Sequence, residues 1–221
     1  MNASSYIQPQ TTEKTVLSGT YGPFRNNDPL KAIIFMGLIV AVMLTLFSLL
    51  ARQVIPATIL AEPDHHISIT LRVIYMAGIT IHILCVPFYC LWINRSCKNA
   101  WLLNPPKMKA TPAWAVAYYF IPIVSLWKPY SSMLEIRNAS FGMRANLTRL
   151  LPLWWFSWLA FMILTAGQLT GHLSINVEIM AILDKLASVA DIASITLNYL
   201  SIAVVVSITN AQNKRASELQ G

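Results

Sequence analysis

A chain of 221 residues in which 56% are hydrophobic and only 11% charged, with a mean hydropathy of +0.54, has too little polar surface to enclose a water-soluble core, because soluble domains carry about 25% charged residues. That balance excludes the ordinary soluble enzyme and binding-domain classes and makes lipid the solvent for most of the chain. The formal net charge of +7 gives no argument for nucleic acid, since no soluble stretch interleaves basic residues with stacking aromatics; it fits residues drawn to an anionic lipid surface.

Residues 1–31 are polar, with scattered Gly, Pro, Asn and Thr, and read as a disordered or loosely attached tail. A bilayer core of about 30 Å takes about 20 apolar helical residues. Four segments reach that length: 32–51, 73–93, 151–170 and 187–209. The first starts too late and runs too long for a cleaved leader, so it reads as a retained anchor. The next loop holds Glu62, Asp64, His65 and His66. These types suit a divalent ion, but a contiguous exposed cluster fixes no ligands from several directions, and a solvated loop is expected.

The second segment carries His82 near its middle, with Cys85, Cys90, Cys97 and Pro87 beyond it. The cysteines form no paired framework, so no disulfide is expected. His82-x-x-Cys85 lacks the partners of a metal site. At the same depth the last segment offers Asn198, and a hydrogen bond between the two helices is the expectation. Pro87 is expected to kink its helix.

Eight of the 16 Lys and Arg residues fall between Arg95 and Arg149. Cytoplasmic loops carry that excess, which places the central loop and both termini inside. Within that loop, residues 112–127 are too apolar for water, yet short and interrupted by Pro122. A re-entrant or interfacial helix–break–helix is predicted; a tilted true span is the alternative, and it would upset the charge alternation. Pro129 then starts a helix in which Tyr130, Met133 and Leu134 form an apolar stripe opposite Ser131, Ser132 and Glu135, as in a helix lying on the inner leaflet. Trp154, Trp155 and Trp158 open the third span at headgroup level, and Pro152 is harmless in its first turn.

In the last span Asp191, Ser194, Asn198 and Ser201 share one helical face. A carboxylate inside a membrane is costly, and Arg72, near the same boundary, is the expected counter-ion. Arg95 and Asn99 share a face at the end of the second span. Glu135 is expected to pair with Arg95, and Asn99 to serve backbone groups freed at Pro122.

Several of these residues recur as an ordered set: Trp92, Arg95 and Asn99; Thr111-Pro112-x-Trp114-Ala115-Val116; Phe120-Ile121-Pro122; Leu126-Trp127-x-Pro129-Tyr130; Glu135-Ile136; and Trp154-Trp155 with Trp158. Over residues 86–164 the chain resembles a bacterial membrane family known as domain of unknown function 4328. The resemblance implies a polytopic protein of the bacterial inner membrane. It implies no reaction, ligand or cofactor.

The expected fold is an all-α membrane protein: four transmembrane helices, a central proline-broken re-entrant or interfacial helix, and an amphipathic surface helix. The helical domain is expected over 32–210, between cytoplasmic tails at 1–31 and 211–221. No catalytic, cofactor or metal residues are assigned and no enzyme is expected. The expected role is structural or interactive, binding membrane proteins, a second copy or anionic lipid at the cytoplasmic face. A small-solute transporter or channel subunit using the last helix is the alternative, and an intramembrane enzyme the remote one.

Overall fold

The computed structural model of the chain describes residues 17–56, 58–59, 64–142, 149–171 and 177–220, with side chains throughout these except 167–171 and 177–185. The sequence positions Glu62 and Arg144, residues 1–16 and the side chain of Lys185 lie outside the described residues.

A two-strand hairpin, β1 (Ser18–Gly19) and β2 (Gly22–Pro23), leads into α1 (Asp28–Val54). Pro29 sits in the first turn of α1, where its missing N–H costs nothing, and Asp28 puts a carboxylate on the positive end of the helix dipole. The helix stops ahead of Pro56, as the residue before proline disfavours helical backbone. Next come α2 (His66–Leu103), α3 (Pro112–Ala117), α4 (Lys128–Phe141), α5 (Leu150–Gly171) and α6 (Val177–Gln220). Asn104-Pro105-Pro106 ends α2, and Gly142, at φ +63°, ends α4.

Among the described residues three helices are long and apolar enough to cross a membrane: Asp28–Val54, His66–Leu103 and Leu186–Gln220; the apolar stretch Leu150–Ala166 of α5 is shorter. At 1.5 Å per residue the 27 residues of α1 run about 40 Å, enough for a core of about 30 Å. Their outer surfaces are apolar, with Met43 61%, Val73 62% and Ile83 64% exposed. A water-soluble monomer does not display apolar surface on that scale. The protein is therefore an all-α membrane protein.

The tightest packing gathers at one end of the bundle, where α1 begins and α2 and α6 finish. Trp92, Ile93, Met133, Ile136, Trp154 and Ile208 are buried together there. α1 packs on α2 and α6, α5 on α6, and α4 against α2, α5 and α6. Gly37 permits the close approach of α1 to α2, because a Cβ at that position would overlap Cys85 Sγ.

Several expectations need correction here. Residues 17–31 are not a loose tail: the hairpin packs on α2, with Tyr21 edge-on to Trp101 at 5.6 Å. The domain does not end at 210, because α6 continues to Gln220 and buries Gln212 and Ala216. α4 is no leaflet-only helix, since it buries Pro129, Ser132, Met133, Ile136 and Ala139 in the bundle. Ser132 sits on the buried side because its hydroxyl donates to Pro129 O at 3.0 Å. Trp154 and Trp155, 2% and 6% exposed, pack inward rather than forming an interfacial belt.

Residues 112–127 form no continuous helix. α3 has six residues, about 9 Å of helix against a core of about 30 Å. Pro122 cannot donate to Tyr118, so the backbone leaves the helix as turns. Ile123 then adopts φ +66° and ψ −55°, while Val124 N–H donates to Pro122 O at 2.7 Å. This is a γ-turn of the rare positive-φ kind, strained by about 1–3 kcal/mol at a β-branched residue. It turns the chain into the short 3-10 segment Val124–Leu126 and then α4.

Candidate functional site

Polar side chains recur along one side of α6, at Asp191, Ser194, Asn198, Ser201, Thr209 and Gln212. Most are committed to a different neighbour, so α6 is the polar spine of the bundle.

At the packed end, Asn99 of α2 is 1% exposed. Its Oδ1 accepts from Arg25 N–H at 3.1 Å, and its Nδ2 donates to Arg25 O at 2.8 Å and to Gln212 Oε1 at 3.2 Å. One amide side chain thus completes both backbone groups of Arg25, as a neighbouring strand would. Gln212 Nε2 donates to Ser96 O at 2.8 Å and Ser140 Oγ at 3.0 Å. Asn27 Nδ2 donates to Ser96 Oγ at 3.0 Å. This buried network joins the N-terminal segment, α2, α4 and α6. Asn99 does not serve the backbone at Pro122, which is exposed; the face of α2 at position 99 is turned to Arg25 and α6.

Glu135 is also placed differently from the expectation. Its Oε2 accepts from Lys109 N–H at 2.8 Å and Ala110 N–H at 2.9 Å. Arg95 is half-buried and has no ion pair among the described residues. The physical reason is that the loop after Pro105–Lys107 offers two amides that no helix uses. A carboxylate takes both as charge-assisted bonds without desolvating a guanidinium. Trp101 Nε1 holds the same loop by donating to Ala110 O at 2.9 Å.

Trp92 Nε1 donates to Thr209 Oγ1 at 2.9 Å and Trp154 Nε1 to Ser201 Oγ at 3.0 Å. Trp155 stacks on Trp158 at 4.8 Å and lies 6.2 Å from the Tyr130 ring, tying α5 to α4. His82 and Asn198 are hydrogen-bonded, the pair that equal depth selects. His82 Nδ1 lies 2.9 Å from Gly78 O, and a carbonyl only accepts, so Nδ1 carries the proton. In the neutral ring Nε2 then accepts from Asn198 Nδ2 at 2.9 Å.

The partner of Asp191 is Arg52, in the last turn of α1, through Arg52 Nη2 and Asp191 Oδ2. It is not Arg72, which is exposed on α2. Asp191 borders a cavity of about 250 Å³ between α1, α2, α5 and α6, whose wall also includes Ser194, His82 and Ser48. Among the described residues no group of three or more His, Cys, Asp or Glu could hold a metal ion. His65 acts instead as a helix cap, its Nδ1 accepting from Ile67 N–H at 3.3 Å, with His66 stacked on it. The three cysteines are free.

Beside the packed end, residues 112–127 present apolar side chains outward: Trp114 50%, Phe120 64%, Ile123 71% and Trp127 46% exposed. Exposed Lys107, Lys109 and Lys128 flank them, with Lys128 Nζ 5.8 Å from the Tyr118 ring centroid. Pro129 fixes the first turn of α4 behind this face. The Tyr119 hydroxyl is buried under it, and desolvation pushes that phenol well above its usual range.

Arg52, Ser96, Thr209 and Gln212 escape the sequence reading. A signal for the last two exists: Ser201 to Gln212 is 11 residues, about three helical turns, so the stripe of Asp191 continues into the apparent tail.

No curated protein and no solved structure matches the chain. The family described as Domain of unknown function (DUF4328) matches residues 66–210, which include Asn99, Glu135, the aromatic–basic face, His82, Asn198 and Asp191. The chain belongs to that family.

Proposed function

We propose that the protein is a multi-pass component of a bacterial inner membrane whose α3–α4 face sits in the cytoplasmic leaflet and holds anionic lipid there. In this reading α5 is the fourth span, both termini are cytoplasmic, and the role is structural or interactive rather than catalytic. The threading rests on the concentration of Lys and Arg at the packed end. The length of α2 agrees, since 38 residues make about 57 Å of helix, which extends well past a core of about 30 Å.

The observation that carries the function is the outward apolar tip at Trp114, Phe120, Ile123 and Trp127 inside a frame of three exposed lysines. Indole rings favour the headgroup level, and each lysine near an anionic surface contributes about 1 kcal/mol. Together the three are worth about 3 kcal/mol, on the order of a hundredfold preference for anionic over zwitterionic lipid.

The test is lipid retention. The full chain is reconstituted in mixed phosphatidylglycerol–phosphatidylcholine nanodiscs, re-extracted in mild detergent, and its bound lipid weighed by native mass spectrometry. Phosphatidylglycerol should be enriched on the wild type, and the Lys107→Gln/Lys109→Gln/Lys128→Gln variant should lose that enrichment. Equal enrichment on both proteins would remove the reading. A second copy or a protein partner covering this face would instead show as a lipid-independent crosslink from Trp127→Cys.

A further inference from the structure

We propose that the cavity between α1, α2, α5 and α6 is a binding site for a small organic cation, a protonated amine on an apolar body. This proposal rests on different residues from the lipid-facing surface and stands or falls separately.

Charge comes first. Asp191 contributes to the cavity wall, while Arg52 approaches it from beyond the lining residues. Arg52 occupies Asp191 Oδ2, and among the described residues no hydrogen bond reaches Oδ1. A carboxylate has about four acceptor positions over its two oxygens, so Oδ1 can take a second donor without breaking the ion pair. The cavity therefore meets an anionic oxygen, not a guanidinium.

Two hydroxyls in the wall, those of Thr45 and Thr165, are biased the same way. Thr45 donates its proton to Ala41 O at 2.9 Å, and Thr165 donates to Phe161 O at 2.8 Å. With those protons committed, each threonine oxygen has only acceptor capacity left. Ser48 also lines the wall, with its hydroxyl oxygen buried. His82, with one ring nitrogen toward Gly78 O and the other toward the Asn198 amide, adds the flat face of its ring.

Size and lining decide between a bare ion and an organic one. At about 30 Å³ per water, the cavity of about 250 Å³ equals roughly eight waters. A metal ion needs oxygen ligands at about 2.3–2.6 Å from several sides, a shell that this space is too large to supply. Leu44, Ile74, Phe161 and Ala190 give much of the remaining wall an apolar character. An apolar wall of that kind takes a hydrocarbon or aromatic body, with the single carboxylate orienting the ammonium at one end.

The probe is phenethylamine, titrated by calorimetry into the full chain in phosphatidylcholine nanodiscs, with empty nanodiscs subtracted and phenethyl alcohol as the neutral match. The expected result is saturable heat with the amine and binding on the order of 10- to 100-fold weaker with the alcohol, the loss of one charge-assisted hydrogen bond. Gly78→Leu projects a side chain into the cavity and leaves the ion pair intact; it should abolish the saturable heat. Gly78→Ala, whose Cβ would meet only Leu44 Cβ at 3.8 Å, is the milder filling and should weaken binding if the larger variant is not recovered folded. The double variant Arg52→Gln/Asp191→Asn removes the carboxylate without orphaning a charge and should bind amine and alcohol alike. No saturable heat in the wild type, equal binding of amine and alcohol, or binding unchanged by filling position 78 would each overturn the proposal. The second of these would identify the cavity as a slot for an uncharged chain such as a lipid tail.

Discussion

Replacing Asn99 by Leu removes a clamp whose value can be worked from its bonds. Asn99 makes three hydrogen bonds, two to the Arg25 backbone and one to Gln212 Oε1. Each is worth about 1 kcal/mol net. Gln212 is 1% exposed and its Oε1 loses its donor, which adds about 1–3 kcal/mol of unrecovered desolvation. Arg25 is exposed, so its freed backbone groups regain water and add little. The sum is about 4–6 kcal/mol, at the upper end for a point substitution. Gln212→Leu breaks its own three bonds, about 3 kcal/mol by the same count, but it keeps both Arg25 bonds and leaves Ser140 Oγ its bond to Ile136 O at 2.6 Å. The assay is twofold: thermal melting in dodecyl maltoside, and limited trypsin digestion followed at the Arg25–Asn26 bond. Asn99→Leu should expose that bond to cleavage well below the melting transition, and Gln212→Leu should not. If Asn99→Leu stays within about 0.5 kcal/mol of the wild type, or Gln212→Leu opens the Arg25 site equally, the clamp reasoning is wrong.

Three further predictions follow from single contacts. Arg52→Ala and Asp191→Ala should each destabilise by about 1–3 kcal/mol, below the 3–5 kcal/mol of a fully buried pair because the Arg52 side chain is 33% exposed; a double-mutant cycle by melting should show coupling, and Arg72→Ala should change nothing. Glu135→Ala should cost about 3 kcal/mol, the low end for two charge-assisted bonds because the Lys109 site is exposed, and Glu135→Gln less, while Arg95→Ala stays neutral; a sizeable Arg95 effect coupled to Glu135 would restore the salt bridge that the structure lacks. Gly37→Leu should destabilise by at least about 1–3 kcal/mol through overpacking against Cys85, measured by the same melts, and Gly37→Ala should do so less if the Cys85 side chain can rotate aside.

Three helices long and apolar enough to cross a membrane are legible in the sequence because a long apolar run has one solvent in which it is stable, and the run length is set by the bilayer. His82 and Asn198 could be matched for a similar reason: two polar groups at equal depth in an apolar medium find each other. Depth alone failed for Asp191, since Arg52 and Arg72 lie near the same boundary and only the facing of α1 toward α6 chooses between them. Glu135 was misread because a carboxylate was assumed to seek a cation, when the amides at Lys109 and Ala110 lay nearer. The Gln212 network stayed hidden because polar residues past an apolar run look like a tail. They read as a buried face only if the stripe of Asp191, Asn198 and Ser201 is carried on for three more turns. The γ-turn at Ile123 had no signal beyond Pro122, as a β-branched residue gives no warning of positive φ.

The seating of the α3–α4 tip in the cytoplasmic leaflet is tested most directly by an impermeant maleimide on single-cysteine variants with Cys85, Cys90 and Cys97 replaced. Lys107→Cys and Ile123→Cys are the test sites, with Asp64→Cys as the outer control and Ser217→Cys as the inner one. The account expects Asp64→Cys to label on intact cells, Lys107→Cys and Ser217→Cys only after permeabilisation, and Ile123→Cys poorly in both because lipid covers it. Labelling of Ile123→Cys or Lys107→Cys on intact cells would place the segment on the opposite side and contradict it.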